Sequence, residues 1–208
     1  MNNSELWEIA KKYEDRGNIE KAYQCYLEAA LSEDDGEAMY ALAQMYFDGE
    51  YVNESYEKAG KYFGMAYDRK ADIEPWTLII AGKYWEYRSE DNEQNLLYAK
   101  KYYQAAADLG EGYGHECLGK LHYDLGEYDK AYEHLVQDEV CNACGLYYLG
   151  RLYDEGLAVG QDRERAIELY KKAVECGLGY EEEYGEDEDC AKARERLREL
   201  GVAPKKVQ

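Results

Sequence analysis

The chain is poor in proline, with only 2 in 208 residues, and has no long apolar run, its longest uncharged apolar stretch being the six residues from Trp76 to Ala81. Few prolines leave long segments free to be helical. The missing apolar run excludes a membrane-spanning helix, which needs about 20 such residues. Positive charge is also scarce: 25 Lys plus Arg stand against 45 Asp plus Glu, a formal net charge of −20. Such a surplus repels phosphate backbones and anionic lipid heads, so nucleic-acid and membrane-surface roles are excluded as first readings. The N-terminus, Met-Asn-Asn-Ser-Glu-Leu-Trp-Glu, has neither a basic start nor an apolar core, and a cytoplasmic location is expected. What is abundant is tyrosine, 24 residues, in a chain that is 46 % hydrophobic and 34 % charged. With a mean hydropathy of −0.80, the apolar residues must lie in narrow stripes of a folded chain.

Those stripes repeat. Five segments align on the small residue that ends an apolar triplet of one helix: Ala10, Ala43, Ala81, Gly119 and Gly150. A bulky apolar residue precedes each (Ile9, Leu42, Ile80, Leu118, Leu149), and an aromatic or histidine follows three later (Tyr13, Tyr46, Tyr84, His122, Tyr153). That spacing is one face of a helix. A second helix follows, with Ala22, Ala59, Ala99, Ala131 and Ala166 at its point of close approach. Beside them Tyr26, Phe63, Tyr103, Leu135 and Tyr170 fill the remaining space. Each unit is therefore predicted to be a helical hairpin.

The loop between the two helices is short in the first and fourth units and longer in the second, third and fifth. The short form has tetratricopeptide spacing. The fifth unit carries Leu149, Gly150, Tyr153, Gly156, Val159, Asp162, Arg165, Ala166, Tyr170, Lys172, Ala173 and Gly177 in order, and this pattern resembles the Sel-like repeat subfamily of tetratricopeptide-like proteins. The second unit departs at Ser55, where Asp is usual, and the third has Tyr87 for the loop Gly. The fold class is thus all-α: a right-handed α-solenoid of five helix-turn-helix repeats with a C-terminal capping helix. The array is placed at 1–178, with repeats at 3–34, 35–70, 72–110, 111–138 and 141–177. Residues 179–208 are assigned to an acidic linker, a capping helix carrying Ala193, Leu197 and Leu200, and a tail.

Candidate chemistry is thin. Cys141 and Cys144, with His115 and Cys117 near in sequence, could supply soft ligands for Zn²⁺, yet Cys144 and Tyr113 hold equivalent positions on adjacent first helices and a shared ion would need distortion. No metal and no cofactor is assigned. The six cysteines, Cys25, Cys117, Cys141, Cys144, Cys176 and Cys190, are expected as thiols packed like small apolar side chains. Gly110-x-Gly112-x-Gly114 follows a helix rather than a strand and reads as a turn between repeats. The acidic run from Glu181 to Asp189 lacks the alternation of a calcium loop and reads as a solvated linker. His115, His122 and His134, with Ser4, Ser32, Ser55 and Ser89, form no nucleophile motif, so the chain is not assigned as an enzyme.

The resemblance implies that first helices line a concave surface used to bind other proteins. Carrying over the tetratricopeptide register places there Ser4, Trp7, Lys11, Glu14 and Asp15; Glu37, Tyr40, Gln44, Phe47 and Asp48; and Pro75, Leu78, Gly82, Trp85 and Glu86. In the last two repeats it places Tyr113, Glu116, Lys120, Tyr123 and Asp124; and Cys144, Tyr147, Arg151, Asp154 and Glu155. Aromatics and carboxylates recur in every repeat, which suits Arg and Lys side chains. The expected function is a non-enzymatic adaptor, monomeric or weakly self-associating, that binds a basic protein or peptide segment. The alternative is a secreted Sel-like protein with β-lactam-related hydrolase activity, for which the regular cysteine pair in each hairpin is missing.

Overall fold

The computed structural model describes residues 5–32, 34–88, 92–137, 142–184 and 188–202, with the backbone alone over 177–184. Ser4, Ser89, Cys141 and the residues of the tail beyond 202 lie outside them. Among the described residues there are eleven helices and no strand. They are α1 (Glu5–Glu14), α2 (Ile19–Ser32), α3 (Gly36–Asp48), α4 (Tyr56–Asp68), α5 (Trp76–Tyr87), α6 (Glu93–Asp108), α7 (Gly112–Asp124), α8 (Tyr128–Leu135), α9 (Ala143–Glu155), α10 (Arg163–Tyr184) and α11 (Glu188–Glu199). The protein is an all-α repeat of helical hairpins, and its chain divides into two compact units, 1–111 and 112–208.

Unit 1 holds three hairpins, α1–α2, α3–α4 and α5–α6, with α2 against α3 and α4 against α5. Local chemistry punctuates them. Polar caps open the second helices: Asn18 accepts from the Lys21 amide at 3.3 Å, Ser55 from Lys58 at 3.3 Å and Asn92 from Gln94 at 3.0 Å. The cap satisfies an orphan amide, and so Ser55 serves in place of Asp. Gly49 closes α3 at φ 69°, a left-handed conformation that a residue with a Cβ adopts only with strain. The core around α1–α4 contains Ala10, Ala22, Tyr26, Ala29, Met39 and Leu42, each at most 1 % exposed.

Unit 2 holds hairpins α7–α8 and α9–α10, and α11 packs against both α9 and α10. Asp162 caps α10, accepting from the Arg165 amide at 2.9 Å, and Gly156 closes α9 at φ 70°. Cys190, Ala193 and Leu197 of α11 are fully buried in the same cluster as Leu152, Tyr170 and Val174. Arg196 on α11 also reaches back to Asp154 of α9 at 2.6 Å. The structure differs from the sequence reading after Gly177: α10 continues to Tyr184, so the first part of the proposed linker is helix. Glutamates propagate a helix well, which explains why an acidic run extends one. Cys176 is disulfide-bonded, against the expectation that all six cysteines are thiols. Cys25, Cys117, Cys144 and Cys190 form no disulfide.

Candidate functional site: the first-helix rim

The surface is built from the point where the two helices of a hairpin cross. In hairpins 4 and 5 a Cβ added to Gly119 would lie 2.4 Å from Leu135 Cγ, and one on Gly150 would lie 2.7 Å from Tyr170 Cε1. In hairpin 3 the equivalent residue is Gly82, whose added Cβ would meet Tyr103 Cε1 at 2.3 Å. The sequence alignment chose Ala81, so the third repeat is one residue out of register. Two small residues stand side by side there, and periodicity alone cannot say which of them the second helix covers.

Counting from the crossing residue (Ala10, Ala43, Gly82, Gly119, Gly150), each row along the first helices has its own task. The third residue onward is an aromatic or histidine that packs between helices: Tyr46 shares a hydroxyl hydrogen bond with Tyr23 at 2.8 Å, and Tyr153 with Tyr132 at 3.3 Å. Trp85 falls in this row, its ring 4.7 Å from that of Tyr98, rather than on the inner face. His122 stacks on His134 with centroids 5.5 Å apart, and His134 Nδ1 lies 3.1 Å from His115 Nδ1. The three histidines thus pack together in hairpin 4.

The fourth residue onward is tied to the chemistry of the second helix. Where the crossing ring is a tyrosine, its hydroxyl donates to a carboxylate: Tyr26 to Glu14 at 2.6 Å, Tyr103 to Glu86 at 2.5 Å and Tyr170 to Asp154 at 3.3 Å. Where that residue has no hydroxyl, Phe63 or Leu135, the partner position is aromatic, Phe47 or Tyr123. Burial works against ionisation of Glu14, but hydrogen bonds from Lys11 and Tyr26 outweigh it and hold the carboxyl below its usual range. These carboxylates serve the hairpin.

Several residues assigned to the inner face are therefore internal. Asp154 is 3 % exposed and Glu116 2 %, while Tyr123 and Tyr147 are buried. The Tyr147 ring packs on Tyr148 and Tyr170, and Tyr123 on Tyr128 and Tyr148. Leu78 and Gly82 are buried too, a direct consequence of the register shift. Trp7 packs against the α1–α4 core, Tyr40 stacks near Phe63 at 5.6 Å, and Tyr113 is half-buried, its hydroxyl pKa pushed up by burial.

What reaches solvent is the fifth residue onward: Asp15, Asp48, Tyr87, Asp124 and Glu155, all exposed. A row of cations precedes it at the first position, Lys11, Lys83, Lys120 and Arg151, with Gln44 in hairpin 2. Lys120 pairs with Asp124 at 3.0 Å, Arg151 with Glu155, and Lys11 with Glu14 at 2.7 Å. The Arg151 guanidinium also lies 5.2 Å over the Tyr123 ring. Three of the five first helices thus end in an exposed carboxylate, and in a fourth, α1, Asp15 follows the last residue. A negative charge at a helix C-terminus opposes the helix dipole and costs about 0.3–1 kcal/mol per site.

Among the described residues no group of three His, Cys, Asp or Glu is arranged to hold a metal ion, and no helix is long and apolar enough to cross a membrane. Burial pushes the Cys144 thiol above its ordinary range.

Comparison with known proteins agrees with this repeat geometry. No curated protein sequence matches the chain. Among solved structures, a Sel1 repeat protein from Oxalobacter formigenes is similar over 94 % of this chain and 86 % of its own, with 22 % identity and a TM-score of 0.51. The protective antigen c5321 of uropathogenic Escherichia coli, displaying an SLR fold, is 19 % identical with a TM-score of 0.54; this chain spans 45 % of its length. MamA is 19 % identical over 84 % of this chain and 97 % of its own, with a TM-score of 0.53. The Sel1 repeat family model matches residues 13–34, 36–70, 81–111 and 145–178, more than half of the chain. Hairpin α7–α8, which lacks the loop insertion, falls between the last two matches, and the chain belongs to the Sel1 repeat family.

Proposed function

We propose that this protein is an adaptor whose first-helix ends, within each compact unit by itself, bind basic segments of another protein. Sel1 repeat proteins generally mediate protein–protein interaction, which sets the class of function. The observation that carries the finer reading is the row Asp15, Asp48, Asp124 and Glu155, exposed at or just past first-helix C-termini, where a carboxylate opposes the helix dipole, an effect that Lys120 and Arg151 offset at Asp124 and Glu155. A carboxylate that recurs at this point in four hairpins, against the dipole, is the mark of a surface kept for something other than stability. The net charge of −20 adds long-range attraction for a basic partner. The sequence reading gave this task to all the inner carboxylates; Glu14, Glu86 and Asp154 instead hold tyrosine hydroxyls, and the rim row takes it over.

The test is association kinetics of a Lys/Arg-rich peptide and its Glu-substituted counterpart with the full chain. The rim set Asp15→Asn, Asp48→Asn, Asp124→Asn and Glu155→Gln is compared with an outer set of equal charge, Glu20→Gln, Glu28→Gln, Glu93→Gln and Glu133→Gln, all exposed on second helices. The rim set should slow association by ~3–10-fold at low salt and flatten its salt response, because close charges steer encounter more than distant ones. The outer set should do less. Equal slowing by both sets, or equal binding of the acidic peptide, refutes the reading.

A further inference from the structure

Unit 1 contains a cavity of about 480 Å³ where the end of α3, the start of α4 and the outer part of α5 meet. That size lies within the ~300–1,000 Å³ of ordinary ligand pockets. Phe47, Ile80, Tyr84 and the exposed rings of Tyr56 and Tyr87, 59 % and 88 % exposed, line it. Phe47 is there for a reason internal to the repeat. Its position carries a tyrosine-bound carboxylate in hairpins 1, 3 and 5, but Phe63 has no hydroxyl, so hairpin 2 places an apolar ring at this point. That ring is braced edge-on by Tyr56 at 5.3 Å and by the tilted ring of Trp76 at 5.1 Å. A concentration of exposed aromatic surface in an otherwise charged protein marks a contact site.

Charge around the cavity is divided. On the α5 side stand Lys83 and Arg88; Arg88 pairs with Glu57 at 2.6 Å and lies 5.3 Å over the Tyr84 ring. On the side of the α3–α4 loop stand the exposed carboxylates Asp48, Glu50 and Glu54. We propose that this cavity is an anchor pocket for one bulky apolar side chain, aromatic or branched aliphatic, of a protein segment whose neighbouring Arg or Lys lies over the α3–α4 loop. The proposal rests on the adaptor reading above and supplies what a charged rim lacks, a desolvated contact. Exposed ion pairs contribute little each, whereas an aromatic anchor in a pocket carries most of an interface's affinity. Pairing of Arg88 with Glu57 offsets one of the two cations on the far wall, and the loop carboxylates set the orientation of the basic flank.

The experiment is an NMR titration of the full chain with three probes: Ac-Arg-Trp-Arg-NH2, Ac-Arg-Ala-Arg-NH2 and Ac-Glu-Trp-Glu-NH2. The first should shift resonances of Phe47, Tyr56, Ile80, Tyr84 and Tyr87, and the alanine peptide should bind ~10-fold more weakly, as loss of an anchor worth a little over 1 kcal/mol requires. Tyr87→Ala, at an 88 % exposed position that leaves the fold intact, should weaken the first probe by ~3–10-fold with an unchanged melting temperature. Equal binding of the tryptophan and alanine arginine peptides, or shifts that avoid the cavity, overturns the anchor pocket while leaving the basic preference of the rim standing. Equal binding of the glutamate peptide at the cavity overturns the basic flank and with it the adaptor reading, though a pocket exists.

Discussion

Replacing Gly82 with alanine puts the register of hairpin 3 to a quantitative test. Two terms oppose. Alanine is favoured over glycine inside a helix by about 1 kcal/mol, so propensity alone makes Gly82→Ala stabilising. Against it, the new Cβ would sit 2.3 Å from Tyr103 Cε1 and 2.4 Å from Cδ1, distances at which something must move. The ring has little freedom to do so: Tyr103 is fully buried, and its hydroxyl is held by Glu86 at 2.5 Å. Overpacking a well-packed site typically costs about 1–3 kcal/mol, and a ring anchored at its far end belongs in the upper part of that range. The net expectation is destabilisation by about 1–2 kcal/mol, a fall in melting temperature of roughly 2–8 °C for a chain of this size. Gly160→Ala is the control, since nothing lies within 4 Å of its added Cβ and its φ is not left-handed; it should be neutral or slightly stabilising. Thermal melts by circular dichroism, with denaturant midpoints alongside, read both variants. If Gly82→Ala stabilised the protein as much as helix propensity predicts, the crossing would not be at Gly82 and the row assignments of hairpin 3 would fall with it.

Other consequences follow from single contacts. Asp154→Asn removes the charge that faces Arg196 at 2.6 Å while keeping the side chain's shape; with only 3 % of the residue exposed, the loss should be about 1–3 kcal/mol in chemical denaturation, and a melting curve like that of the native protein would show the pair to be dispensable. His134 is held down to about 4 by burial first and by the neighbouring His122 and His115, so the unfolded chain takes up its proton at higher pH than the folded one. Stability from this residue is therefore complete above ~6.5 and is lost as pH falls towards 4; discounted for a half-exposed ring this is about 1–2 kcal/mol, and His134→Gln should remove that part of the pH dependence. Reduction of the Cys176 disulfide should lower the melting temperature, by the equivalent of about 2–4 kcal/mol, and Cys176→Ser should abolish the response to reductant. Ala59 and Ala166 are fully buried, and a leucine at either should destabilise by ~1–3 kcal/mol in the same melts.

The hairpins were legible in sequence because close approach of two helices demands a small residue on each at the crossing, with a bulky side chain beside it, and that pattern recurs five times. The one-residue slip at Ala81–Gly82 marks the limit of that signal: it reports a small residue, not the ring lying on it. The inner face was less legible. A register carried over from tetratricopeptides treats every inner-face position as surface, whereas Asp154 and Glu86 are claimed by tyrosine hydroxyls from the partner helix. A signal for this was present, since the carboxylates sit opposite Tyr26, Tyr103 and Tyr170 and the aromatics opposite Phe63 and Leu135; reading it required pairing positions across a hairpin rather than along a helix. The Cys176 disulfide went against an expectation drawn from compartment, not from geometry. The cavity beside Phe47 had no sequence signature, because it depends on which rings remain uncovered after packing.

The most direct measurement is a map of where a Lys/Arg-rich peptide carrying a tryptophan contacts the full chain, by amide chemical-shift changes at physiological salt. The account predicts shifts in unit 1 at Asp15, Asp48, Tyr56, Ile80, Tyr84 and Tyr87. Shifts gathered instead on the outer second-helix positions Glu20, Glu28, Glu133 and Glu168, with the rim and cavity silent, would contradict it.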